Sequence, residues 1–140
     1  MIFVRDDIGY RGGIHMKQYQ EKRPLLIVGG SARAFLGEYM AGGLILVLGR
    51  KGRSPLLERG IGSGIHGGKI IIRGDVPDWN LGVGARVDKM TEEERGEINP
   101  LIEKFACYFG LDPQPFLTDP YSISTPSSAR PYANKYTWEV

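Results

Sequence analysis

The 140-residue sequence predicts an all-β fold: a parallel β-helix of about three glycine-cornered coils, with a C-terminal helix and an extended tail. Three observations lead there. Gly37, Gly42, Gly43 and Gly49 recur as Gly62, Gly67, Gly68 and Gly74, each 25 residues on (37 to 62, 42 to 67, 43 to 68, 49 to 74). A short run rich in Ile, Leu and Val follows each glycine pair. The chain also holds 20 glycines, about twice the ordinary share, without a collagen period. Repeats of this length mean stacked units that cannot bury their apolar sides alone. The fixed leucine spacing and asparagine row of leucine-rich repeats are absent, so a β-helix fits better.

The elements follow in order. Ile2-Phe3-Val4 matches Ile70-Ile71-Ile72, and Arg5 matches Arg73, so the chain opens on the last strand of a coil. Placing Gly13 on Gly37 and Gly62 puts Met16 on Met40 and Ile65. The polar loop from Lys17 to Arg23 has no counterpart in the other repeats, and a second polar insertion spans Arg50 to Arg59. Gly29 is set on Gly49 and Gly74, which sets Ile27 on Val47 and Ile72. Two inward rows are expected: Met16, Met40, Ile65 and Val4, Ile27, Val47, Ile72. The corners fall at Gly13, Gly29, Gly37, Gly42, Gly43, Gly49, Gly62, Gly67, Gly68 and Gly74, where a missing Cβ permits positive φ or close approach. Leu81–Val87 reads as one more short strand.

Thr91 followed by Glu92, Glu93 and Glu94 is a capping box with acidic residues in the first turn. Ile98, Leu101, Ile102, Phe105 and Phe109 recur at helical spacing. Pro100 either kinks this helix or starts a second one, and Gly110 ends it. The sequence thus divides into a β-helix over 1–90, a helix over 91–110 that covers the stack, and a Pro- and Tyr-rich tail over 111–140. Phe116, Tyr121, Tyr132, Tyr136 and Trp138 are the tail's anchors, on its own domain or on a neighbouring subunit.

Composition narrows the function. A net charge of +2 gives no basic face for nucleic acid. No apolar run reaches a membrane-spanning length, and Arg5, Asp6 and Asp7 come too early for a secretory signal. One cysteine allows no intrachain disulfide, so a cytoplasmic setting is expected.

The chemistry-bearing residues are sparse. Gly62-Ser-Gly-Ile-His-Gly67 has the letters of a dinucleotide loop but lacks the strand before and the helix after that such a loop needs. His15 and His66 each lie beside a corner glycine; they read as solvent-edge histidines, with a small ligand site as the alternative. Cys107 reads as a packing cysteine, since no base can be assigned beside it. Asp6, Asp7, Glu38, Asp75 and Asp78 form no evident acid/base couple. Arg5, Arg11, Arg33 and Arg73 are either solvated corners or grips for a partner's carboxylates. No catalytic residue, no cofactor-binding residue and no metal ligand is assigned.

Ile8-Gly-Tyr-Arg-Gly-Gly-Ile-His-Met-Lys17, Phe35-Leu-Gly-Glu-Tyr-Met-Ala-Gly-Gly43 and Gly62-Ser-Gly-Ile-His-Gly-Gly-Lys-Ile70 resemble the glycine-repeat (GXGXG) domain of the glutamate synthase large subunit. They look most like its stand-alone form, domain 3 of the split, archaeal-type enzyme; formylmethanofuran dehydrogenase carries the same repeat in one of its subunits. The resemblance covers nearly the whole chain. It implies a single-stranded, right-handed parallel β-helix that is structural. The glutaminase and flavin/iron–sulfur synthase domains it supports hold the catalytic cysteine and the cofactors, so no functional residue carries over and no cofactor is expected here. Longer members have further coils before the stretch matching Ile2 to Arg5, so self-association through the exposed first coil is a further expectation.

Overall fold

The computed structural model describes residues 1–50 and 54–127. Six strands form one mixed sheet: β1 (Ile2–Val4), β2 (Leu25–Val28), β3 (Ala41–Val47), β4 (Gly67–Arg73), β5 (Ala85–Lys89) and β6 (Tyr121–Pro126). Their order is β1-β2-β3-β4-β6-β5. The first four are parallel neighbours, whereas β6 runs antiparallel to both β4 and β5. Two helices, α1 (Glu92–Phe109) and α2 (Gln114–Thr118), pack on one face.

This corrects the expected parallel β-helix. The sheet is open and mixed, and the fold is α/β in character. The physical reason lies in the segments that return from one strand to the next. Their φ is positive at alternate residues: Arg11, Gly13, His15; then Phe35, Gly37, Tyr39; then Gly60, Gly62, Gly64. A strand needs negative φ throughout, so these arms cannot pair as a second sheet. They are joined by single bridges, Ile8 to Ala32 to Leu56 and Ile61 to Leu81, and by turn hydrogen bonds such as Gly37 N–H to Gly12 O (2.7 Å) and Gly62 N–H to Leu36 O (2.7 Å).

The sheet register also differs from the sequence alignment by one residue. Val4, Val28, Val47 and Ile72 form one row, while Phe3, Ile27, Leu46 and Ile71 form the next. Ile27 therefore does not join Val47. By the same register Gly30, not Gly29, lies beside Gly49. A one-residue slip sends a side chain to the opposite face, and two cores result. Val28, Val47 and Ile72 pack with Leu36, Met40, Ile61 and Ile65 between the sheet and the return arms. Ile27, Leu46 and Ile71 pack with Ile98, Ile102, Phe105 and Phe116 beneath the helices. Met16 lies against the first core, in line with buried Met40 and Ile65.

α1 begins at the capping box. Glu94 N–H donates to Thr91 Oγ1 (3.2 Å) and Thr91 N–H to Glu94 Oε1 (2.8 Å). The helix is continuous through Pro100 and stops at Gly110, φ 68°. Its inner face is Ile98, Ile102, Phe105 and Ala106. Cys107 points the other way and is exposed, which corrects the packing role read from the sequence.

The region expected as an extended tail folds first into α2 and then into β6, which enters the sheet between β4 and β5. Phe116 and Tyr121 are buried there, and the Tyr121 hydroxyl donates to Phe116 O (2.7 Å). Tyr132, Tyr136 and Trp138 lie outside the described residues. Leu81–Val87, expected as one more short strand, contributes a bridge at Leu81 and the start of β5, which pairs antiparallel with β6.

Candidate functional site

The return arms bring the polar residues of successive coils into columns. Phe35's ring occupies the space where a Cβ on Gly60 would stand, 2.5 Å from the nearest ring carbon, and Tyr39's ring does the same over Gly64 at 2.6 Å. The first coil adds a cation or an imidazole on top. Arg11's guanidinium carbon lies 4.8 Å from the Phe35 centroid, and His15 stacks on Tyr39 at 5.3 Å and 21°. Each column thus reads glycine, aromatic, then Arg or His. Arg11 also binds Glu38, whose side chain is largely buried. Glycine is required in the third coil because an aromatic ring fills its side-chain space.

A neighbouring column runs in the opposite sense. Arg33's guanidinium carbon sits 5.0 Å from the Tyr10 ring centroid, with its Nε 3.0 Å from Glu58 Oε1. The Tyr10 hydroxyl, and after it the Glu58 charge, hold the Arg33 pKa above its ordinary value. The ring quadrupole attracts each guanidinium, and solvent exposure keeps that attraction weak. These contacts add side-chain register to coils whose backbones are already joined by hydrogen bonds such as Arg11 N–H to Ala34 O (2.8 Å) and Tyr39 N–H to Ser63 O (2.9 Å).

The corner arginines, read from the sequence as either solvated corners or grips for a partner's carboxylates, bind acids of their own chain. Arg5 pairs with Asp6 (3.1 Å), Arg11 with Glu38, Arg33 with Glu58, and Arg73 with Asp119 (2.7 Å). Arg73 also donates to Leu48 O (3.2 Å) and lies over Phe116 at 4.8 Å. Asp7 accepts from Ser31 N–H (2.8 Å). A cleft of about 530 Å³ opens between Gly49, Arg50, Pro55, Arg73 and Asp119. Its guanidiniums are already engaged, Arg73 as above and Arg50 by Asp6 (2.7 Å) and Arg5 O (3.1 Å).

His15 and His66 lie on different columns. The His15 backbone N–H donates to Glu38 O, whereas that of His66 donates to Met40 O, and both side chains are exposed. Among the described residues no group of His, Cys, Asp and Glu could hold a metal ion. No helix among them is long and apolar enough to cross a membrane.

Of the ten corner glycines, Gly13, Gly37, Gly43, Gly49, Gly62, Gly68 and Gly74 have positive φ; Gly29, Gly42 and Gly67 do not. Gly42 and Gly43 lie in a β-bulge of β3, between Ala41, which pairs with Gly67, and Leu44, which pairs with Lys69. The columns were accessible to sequence reasoning. Aligning Gly13, Gly37 and Gly62 also aligns Arg11, Phe35 and Gly60, and His15, Tyr39 and Gly64. The missed signal was the replacement of an aromatic by glycine at two aligned positions, Phe35 to Gly60 and Tyr39 to Gly64.

α1 is tied to the bulge by charge. Arg23 donates to Glu97 Oε2 (2.7 Å), and Lys69 Nζ lies 3.7 Å from Glu97 Oε1 and 3.8 Å from Glu94 Oε2. The Arg23 hydrogen bond, aided by the Arg23 and Lys69 charges and opposed by burial, lowers the Glu97 pKa. A depressed carboxyl adds stability above its unfolded value and loses it as pH falls through the folded one. The melting temperature is therefore expected to drop as pH falls below the ordinary glutamate value of 4.5. Glu97→Gln should flatten that drop and lower the melting temperature at neutral pH, as read by thermal denaturation at each pH. Tyr121 is shifted the other way, with burial raising its pKa above the ordinary tyrosine value.

A family model described as GXGXG motif matches residues 1–126. An uncharacterized protein of Methanocaldococcus jannaschii is 46% identical over 138 residues, an alignment covering 94% of this chain and 53% of that protein. The chain spans about half the length of that relative.

Proposed function

The chain belongs to the GXGXG motif family, found in domains of the glutamate synthase large subunit, and on that premise we propose that it is a non-catalytic scaffold of a glutamate synthase-type assembly. Its role is to hold glutaminase and flavin/iron–sulfur synthase domains together for ammonia assimilation and glutamate formation. One observation carries this reading: the polar corners are internally committed, the arginines to acids of the same chain and the Phe35 and Tyr39 rings to the glycine sites of the next coil. Side chains committed to inter-coil register suit a support better than an active site.

The test is purification of the chain with its native partners. Glutaminase and synthase domains are expected to co-elute with it, and the isolated chain to form no glutamate. Isolation without either domain would overturn the reading. Co-elution with molybdenum- or tungsten-pterin proteins would instead assign a formylmethanofuran dehydrogenase-type scaffold. A nucleotide-induced thermal shift lost in His66→Ala would favour a ligand-binding module.

A further inference from the structure

We propose that the Asp119–Pro120 peptide bond is a self-cleavage site, at which the Asp119 carboxylate displaces the proline nitrogen. The event happens once, on the chain itself, and leaves a scaffold role unaltered. The sequence holds two Asp–Pro bonds, Asp112–Pro113 and Asp119–Pro120. A bond to proline is a tertiary amide, and its nitrogen leaves as a basic secondary amine. An aspartate before it carries a nucleophilic carboxylate that reaches the scissile carbonyl carbon by closing a five-membered ring. Only the second of the two bonds is equipped for that step.

Two arginines hold Asp119. Arg95 Nη2 donates to Asp119 O (2.6 Å) while its Nη1 donates to Leu117 O (2.8 Å), and the guanidinium lies 5.4 Å from the Tyr121 ring centroid. A fixed cation thus stands at the oxygen that gains charge when the carbonyl is attacked, the arrangement that stabilises a tetrahedral intermediate. Arg73 grips the carboxylate by one oxygen, with Nε (2.8 Å) and Nη2 (2.7 Å) both on Oδ2. Oδ1 takes no hydrogen bond from any described residue and is the nucleophile. Asp119 and Pro120 both line the cleft of about 530 Å³, and the Asp119 side chain is 42% exposed, so water reaches the bond. Asp112 is placed differently. Its Oδ1 accepts from Gln114 N–H (3.1 Å), and no arginine among the described residues pairs with it.

In the step, Oδ1 bonds to the Asp119 carbonyl carbon and the carbonyl electron pair moves onto the oxygen that faces Arg95. Collapse restores the carbonyl, breaks the bond to nitrogen and leaves a cyclic anhydride. The proline nitrogen takes its proton from water, and the hydroxide so formed opens the anhydride. One water is consumed, and the products are a carboxylate at Asp119 and an amine at Pro120. Pro120 O still accepts from Gly74 N–H (2.8 Å), and β6 stays paired with β4 and β5, so the severed strand keeps its place.

Intact-mass spectrometry of the full chain during prolonged incubation at neutral pH tests this. Fragments 1–119 and 120–140 are expected, together under native conditions and separable only in denaturant, with Asp112–Pro113 intact. Arg95→Gln should slow the break at least tenfold while the circular dichroism stays unchanged. Asp119→Glu keeps a carboxylate for Arg73 but enlarges the ring, and should abolish the break. In guanidinium chloride the preference for Asp119–Pro120 over Asp112–Pro113 should vanish. A chain that stays whole, equal breakage of the two bonds in the folded protein, or a rate indifferent to both Arg95→Gln and Asp119→Glu would overturn the proposal.

Discussion

Phe105→Ala is expected to destabilise the protein by roughly 3–5 kcal/mol, the range for deleting a buried phenylalanine ring. Phe105 is fully buried and meets three structural units. Its ring packs edge-on against Phe3 of β1 (5.7 Å, 70°) and against Phe109 of α1 (4.9 Å, 64°). Its tip also fills the space beside Gly29, where a Cβ would lie 2.7 Å from Phe105 Cζ. Removing the ring frees α1 and the outermost strand together. Small domains are stable by about 5–15 kcal/mol, so a large part of the margin goes with it. Denaturant titration reads the loss as a lower midpoint. Phe105→Leu keeps most of the volume and should cost less than half as much. A loss below about 1 kcal/mol for the alanine variant would show that α1 docks without this ring.

The second large effect is expected at Gly68. Its φ is +85°, and an added Cβ would stand 2.8 Å from Gly42 C and 2.9 Å from both Gly43 O and Met40 Cε. Two of the three obstacles are backbone of the β3 bulge, which cannot rotate aside. Gly68→Ala therefore combines left-handed strain with steric overlap, roughly 2–4 kcal/mol together. Gly74 separates the two causes. It has φ +88° but nothing within 4 Å of the added carbon. Gly74→Ala should cost only the conformational part, about 1–2 kcal/mol. Equal losses at the two sites, measured by thermal or denaturant unfolding, would remove the steric argument.

The sequence made the repeat visible and left its closure hidden. Glycine spacing and aliphatic runs located β2, β3 and β4, and the Thr91–Glu94 box located α1, because these are local signals. The register of β2 was misread because Gly29 and Gly30 are adjacent, and the choice between them decides which face receives Ile27. The return arms were misread because Arg11, His15, Phe35 and Tyr39 adopt positive φ without being glycine. That conformation is imposed by the neighbouring coil, not by the residue's own preference. β6 was read as part of a tail because Tyr121-Ser-Ile-Ser-Thr-Pro126 lies among prolines, and its strand character comes from the edges of β4 and β5. The columns of cation, ring and glycine were legible in the alignment; the pairing of Arg73 with Asp119 was not, because 46 residues separate them.

The placement of β6 also bears on the order in which the chain can fold as it is synthesised. Each parallel strand pairs with the one just made, so contacts such as Arg73 to Leu48 O span only 25 residues. The outer edge of β4 has to wait. Ser122, whose hydroxyl binds Gly74 O, emerges 48 residues later, after the whole of α1. During that interval Ile70, Ile71 and Ile72 lie on an unpaired edge, the state in which nascent sheets are most open to aggregation. Closing that edge is the long-range step, so the sheet's last interior strand to be translated also sets how quickly the protein is safe from its neighbours.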